Sequence, residues 1–346
     1  MEETNLTMKK LLILPIMMLV LVLALHPALA IDPAEYTVTS VTDCGNTSSL
    51  YDSFYQKGQL DSPIPGLAEG LIPQGIAWMA EEDWLLFAGY RTDHGPSALI
   101  AVDRQTGQIT RAATLRNVDG SVYDGHAGGV CVTDTDIYLS NAHRLFRLSK
   151  DAFLALSAPG ECTFEQEIPV PVNASYCCFA DGVLWVGEFQ YTGDYPTDST
   201  HTIRTADGLQ KAWTCGYVLA DRENFDHPDY ILSVTERIQG ITIRDGHIYL
   251  SQSYGRRNPS TLFRYSDVLA QDHPDTWVDL EGVSVPLWIL DSAVREAALV
   301  APPMTECLCT VPEGVCVLFE SAAEKYMDPA NASVNPMDRV FLLTDF

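Results

Sequence analysis

The chain runs to 346 residues with 46 acidic against 21 basic side chains, a formal net charge of −25. A surface so acidic repels phosphate backbones and anionic bilayers, which argues against nucleic acid as a partner and against membrane insertion of the mature chain. Nine cysteines, an odd number in a chain of this length, exclude the small disulfide-stapled class.

Residues 1–30 read as a secretory signal peptide. Lys9 and Lys10 form the basic start, residues 11–25 the apolar stretch, and Ala28-Leu29-Ala30 the small-x-small cleavage site. Secretion of a mature chain, 31–346, as a single domain is the expectation. The alternative is an anchor left uncleaved, although an apolar run of about 15 residues is short of the ~20 that span a bilayer.

Beyond the leader the chain repeats. Five segments, 72–91, 126–143, 173–190, 237–254 and 304–323, each place an apolar strand, a turn of Asp, Glu or Gly, and a second strand rich in β-branched or aromatic residues. Asp181-Gly182 and Asp245-Gly246 are strong two-residue hairpin signals, because both central positions need positive φ. Third strands follow at 98–103, 144–149, 215–221, 261–266 and 339–344. Fourth strands can be drawn at 109–115, 164–170, 229–234 and 285–290. The fifth unit meets the end of the chain before a fourth, and "YTVTSV" at 36–41 is a spare strand able to complete it. The pattern predicts an all-β fold, a β-propeller of five blades of four antiparallel strands with the N-terminal strand closing the last blade. The alternative is six blades, with a degenerate sheet in 191–236 or 270–303. Short helices are expected at 266–271 and 291–299. Cys131, Cys177, Cys178, Cys307, Cys309 and Cys316 fall in strands, where a free thiol packs as a small hydrophobe; a disulfide between some pair is also expected after export.

In a propeller the first strand of each blade lines the central channel, so the residues flanking the five hairpins should crowd one face near the axis. At strand starts these are Gln74, His126, Ser175, Gln239 and Glu306. At second-strand ends they include Asn141, Glu188, Gln252 and Glu320, with Arg91 and Tyr254 two residues beyond the aligned column. A small column, Ala88, Ser140, Gly187 and Ser251, is expected to let the blades converge. Asn141, Glu188, Glu306 and Glu320 supply oxygens suited to a hard divalent cation such as Ca²⁺. His126, between glycines in "YDGHAGGV", is a candidate general base alongside Glu188. Gln74, Arg91, His126, Gln239, Gln252, Tyr254 and Arg256 are candidate ligand-binding residues; an arginine in so acidic a chain suits a carboxylate or phosphate. No Gly-x-Ser-x-Gly elbow is present.

"PQGIAW" and "HAGGV…IYLSNAHRLFRL" resemble secreted bacterial propeller proteins, and more loosely the YVTN-type surface propellers and the gluconolactonase, regucalcin and strictosidine-synthase group. The lactonase members of that group hold one channel-mouth metal through Glu, Asn and Asp side chains. The resemblance places Glu306, Asn141, Glu188 and Glu320 in comparable positions, while the Glu-Gly-Pro of that group's first strand is absent. The expected protein is therefore an exported, monomeric propeller that binds a small molecule, glycan or protein partner at its polar channel face, with a divalent cation as the one cofactor to consider. A metal-assisted hydrolase or lactonase is the alternative, and a non-catalytic envelope or adhesion protein the second.

Overall fold

The computed structural model describes residues 32–220, 222 and 224–346. The signal peptide and its uncleaved alternative lie outside them. Among the described residues no helix is long and apolar enough to cross a membrane.

The chain is a five-bladed β-propeller. Blade 1 begins with Leu71–Met79, blade 2 with Gly129–Val132, blade 3 with Ala174–Ala180, blade 4 with Ile238–Arg244 and blade 5 with Thr305–Val311. Each opening strand pairs antiparallel with the next in sequence, then a third and a fourth follow outward. The five innermost strands touch one another in cyclic order, from blade 1 round to blade 5 and back to blade 1. The ring is therefore closed. Asp181 and Gly182 have φ of 51° and 78°, and Asp245 and Gly246 φ of 52° and 71°, as the hairpin signals require.

Three expectations need correction. Blade 5 is closed by Gly58–Pro63, which pairs with Arg339–Leu343, and not by 36–41. The β-branched segment 36–41 runs as a tether: the backbone N–H groups of Val41 and Thr42 both donate to Asp338 Oδ2, at 2.7 and 3.0 Å. Gly58 fits because the backbones meet so tightly that a Cβ there would lie 2.0 Å from Leu342 O. Close approach outranked β-propensity.

The second concerns blade 4, whose fourth strand is Arg295–Ala301, paired with Ser260–Ser266. Residues 291–299 are thus not helical. From Ala297 onward the side chains alternate between shielded and exposed, a period of two that the alanines obscure in sequence. Val283–Ile289, expected as that fourth strand, instead pairs parallel with Tyr230–Val234. Together with Thr276–Leu280 it extends blade 3 to six strands. Among the described residues no sixth blade exists; Ile203–Thr205 and Gly208–Gln210 form a separate two-stranded ribbon.

The third correction concerns how the blades converge. A Cβ on Gly75 would lie 2.6 Å from Val130 N, one on Gly129 2.3 Å from Cys177 N, and one on Gly240 2.6 Å from Cys307 Cα. The close approach is therefore made by glycines of the first strands against the neighbouring blade. Of the expected small column, Ser251 reaches the neighbouring blade, its hydroxyl 2.8 Å from Thr305 Oγ1, while Gly187 accommodates the Tyr176 ring within its own blade.

All nine cysteines are buried, free thiols. Cys309 and Cys316 face each other across the blade 5 hairpin, and Cys131, Cys178 and Cys309 line a separate cavity of about 110 Å³ among the inner strands. Burial pushes the Cys178 thiol up, which keeps it protonated and unreactive.

Candidate ligand site at the ring axis

Four of the five inner strands open with a bulge. Pairing steps from Pro73–Gly89 to Gly75–Ala88, from Ala174–Glu188 to Tyr176–Gly187, and from Ile238–Gln252 to Gly240–Ser251. Gln74, Ser175 and Gln239 are left without a partner across the hairpin, and a similar shift between Thr305 and Leu308 contains Glu306. A bulge re-aims the extra side chain. All four line an axial cavity of about 660 Å³. In blade 2 the strand starts later and Ala127, at φ 51°, turns the chain so that His126 also reaches the wall.

Glu306 and Glu320 both line this cavity, near enough for each carboxyl to shift the ionisation of the other. Neighbouring carboxyls resist ionising together, which favours keeping a proton on the pair. Gln74 Nε2 and the Tyr326 hydroxyl donate to Glu320 Oε2 at 2.8 and 3.1 Å, and Gln239 Nε2 donates to Glu306 Oε1 at 3.2 Å. Burial, and then the charge of Glu320, hold the Glu306 carboxyl well above the carboxylate range. Burial likewise raises Glu320, to about 7, while the donors from Tyr326 and Gln74 work against the rise. Both shifts favour the protonated forms, so near neutral pH the pair carries less negative charge than two free carboxylates would. It can donate one hydrogen bond and accept others, or pass a proton to a ligand.

His126 opens onto the cavity and is exposed to it. Its ring stacks on Tyr90 with centroids 4.4 Å apart. Desolvation by the channel wall, with the Lys325 charge adding to it, lowers its pKa to about 4, so the imidazole is neutral at physiological pH. Tyr254, Phe189 and Tyr195 form an aromatic wall elsewhere in the cavity.

Of the residues singled out from sequence, Gln74, His126, Asn141, Gln239, Tyr254, Arg256, Glu306 and Glu320 share this cavity. Three do not line it. Glu188 is buried behind the wall, where Oε1 accepts from Trp213 N at 3.0 Å and contacts His201 Nδ1 at 2.6 Å, and Oε2 accepts from Asn173 N at 3.3 Å. That carboxylate is committed to structure, and the pairing of His126 with Glu188 as acid and base is not assembled. Arg91 is buried against Asp93, with Nη2 to Oδ2 at 2.5 Å, and donates to Glu69 O at 2.7 Å. Gln252 gives its amide to Glu236 O at 2.8 Å.

For a divalent cation the donor set is thinner than expected. Asn141, Glu306 and Glu320 are on the wall without Glu188, and among the described residues no group of three or more His, Cys, Asp or Glu is spaced to hold a metal. Sequence reasoning missed Tyr90, Tyr326 and Lys325, all on the cavity wall. A lone lysine in the loop "ESAAEKYMDPANASVNPMD", residues 320–338, was the available signal.

No family model matches the chain, and no curated protein matches it. Among solved structures, it is similar to the GH43_1 enzyme from Xanthomonas citri (10% identity, 85% of this chain and 92% of that one, TM-score 0.47). It is also similar to a calcium-binding protein, regucalcin, from Agrobacterium tumefaciens (11% identity, 83% and 92%, TM-score 0.39). A third is glutaminyl cyclase from Myxococcus xanthus (11%, 75% and 89%, TM-score 0.41). Likeness at this level is no guide to chemistry, and the chain stands as a β-propeller loosely similar to others without a specific family.

Proposed function

We propose that the protein is an exported β-propeller that binds a small polyhydroxylated ligand in its axial cavity. The observation that carries this reading is the placing of Glu306 and Glu320 together on the cavity wall, held by the amides of Gln239 and Gln74 and flanked by Tyr90, Tyr254 and Tyr326. Sugar-like hydroxyls donate and accept at once, as a partly protonated carboxyl pair and carboxamides do. The apolar faces of such a ring pack on aromatic side chains. The cavity volume, about 660 Å³, falls within the range of small-molecule sites.

A hydrolase is the second reading, favoured by two neighbouring carboxyls whose pKa values are raised, which supply a general acid and a general base. The test is calorimetric titration of the mature chain with neutral and acidic mono- and disaccharides, with turnover of esters and lactones followed in parallel. Saturable binding that Glu306→Ala and Gln74→Ala abolish in folded protein supports the proposal. Binding that survives both substitutions places the ligand elsewhere, as an adhesin with its contacts on outer loops would; turnover lost with Glu306→Ala makes the protein an enzyme.

A further inference from the structure

We propose that Lys325 and Arg256 form an anion subsite on the cavity wall, so that the ligand carries a carboxylate or phosphate ester on a polyhydroxylated ring. This rests on the reading of the cavity as a ligand site and names the ligand's class.

Carboxylates outnumber basic side chains 46 to 21, and ion pairs are the usual fate of a cation here. Among the described residues neither Lys325 nor Arg256 forms one. Arg256 Nη1 donates to Asn331 O at 2.9 Å, and Lys325 Nζ donates to the Tyr90 hydroxyl at 3.2 Å. Both partners are neutral and leave each cation its full charge and further donors. The field of Lys325 reaches Glu320 and His126, yet Lys325 makes no ion pair with Glu320.

The two cations share one aromatic support. The Arg256 guanidinium carbon lies 4.8 Å from the Tyr326 ring centroid, and Lys325 Nζ lies 5.3 Å from that ring and 5.5 Å from the Tyr90 ring. Cation–π contact orients both without neutralising either. Their loops are tied together as well. Val334 N donates to Arg256 O at 3.1 Å, and Ser333 N donates to Tyr326 O at 2.9 Å. Two preorganised cations on one cavity wall suit an anion with several oxygens.

The cavity is therefore bipolar. Lys325 and Arg256 make one part cationic, while the Glu306–Glu320 pair, which holds Gln74 and Gln239, makes another anionic. A neutral sugar would leave the cations unused. A molecule with no hydroxyls would leave the carboxyl pair unused. An acidic sugar uses both.

The experiment is calorimetric titration of the full mature chain with glucose, glucuronate and glucose 6-phosphate at low salt. The inference expects at least one of the anions to bind tenfold or more tightly than glucose, and which one identifies the anionic group. Lys325→Gln and Arg256→Gln should each weaken that anion roughly tenfold, the loss of one charge-assisted contact. Glucose binding should fall far less than anion binding, and the variants should remain folded, since Lys325 is exposed and Arg256 half-buried. Glucose binding as tightly as both anions, or both substitutions weakening all three probes alike, overturns the subsite and leaves the cavity reading standing. Failure of all three probes to bind removes both together.

Discussion

Glu320 offers the sharpest test of the axial site, because its cost to the empty protein can be worked out. In the unfolded chain it titrates near the ordinary 4.5, and in the folded chain near 7. A carboxyl raised in this way favours its protonated form in the native state. Below 4.5 both states are protonated and nothing is lost. Between 4.5 and 7 the unfolded chain ionises first, so stability falls with rising pH, and above 7 the full loss has been taken. At ~1.4 kcal/mol per pH unit the loss is about 3 kcal/mol. Glu320→Gln keeps an acceptor for Gln74 or Tyr326 and cannot ionise. The variant should match the parent at pH 4.5 and exceed it by about 3 kcal/mol at pH 8, or roughly 5 °C in melting temperature for a domain of this size. Urea unfolding of both proteins at pH 4.5, 6 and 8 measures the difference directly. A gain that does not change with pH, or a variant no more stable than the parent at pH 8, would refute the argument that the axis holds a Glu320 carboxyl favouring its protonated form.

Other outcomes follow from the same geometry. Gly75→Ala and Gly240→Ala push a Cβ to 2.6 Å from backbone atoms of the next blade, and each should cost about 1–3 kcal/mol in denaturant melts; neutral behaviour at both sites would show that the blades are not packed backbone to backbone. Removing residues 32–63 strips the strand that closes blade 5 and bares the edge of Arg339–Leu343, so light scattering should detect self-association, and a stable monomer would count against that closure. Since His126 titrates near 4, ligand affinity should show no inflection between pH 6 and 7 that His126→Gln removes. If Ca²⁺ enters the cavity it must displace protons held by Glu306 and Glu320, so uptake should strengthen from pH 6 to pH 8 with proton release; a flat calorimetric titration at pH 8 takes Ca²⁺ out of the site.

The architecture was legible in the sequence because a propeller writes the same local instruction several times. Each hairpin carries its own apolar pattern and turn, and Asp181-Gly182 and Asp245-Gly246 needed nothing remote to take their positive φ. Counting the units and noticing a missing last strand sufficed for five blades and a closing N-terminal strand. Which strand closes the ring was a tertiary matter. Gly58–Pro63 has weak strand propensity, and it wins by fitting against Leu342 where a side chain could not.

The site divides in the same way. Polar residues at strand starts pointed to the axis, but sequence cannot show that Gln74, Ser175 and Gln239 are bulge residues turned inward by a slip in pairing. Nor does it distinguish Glu188, tied to Trp213 and Asn173, from Glu320, which faces the cavity. Both end their hairpins in the same aligned column. Lys325 and Tyr326 come from a loop with no periodicity to read, and only its packing brings them beside Arg256, about 70 residues away along the chain. Local pattern determines which strands form, since side chains alternate at a period of two along each one. The partners of a given side chain depend on contacts between remote segments, and those exist only once the ring has closed.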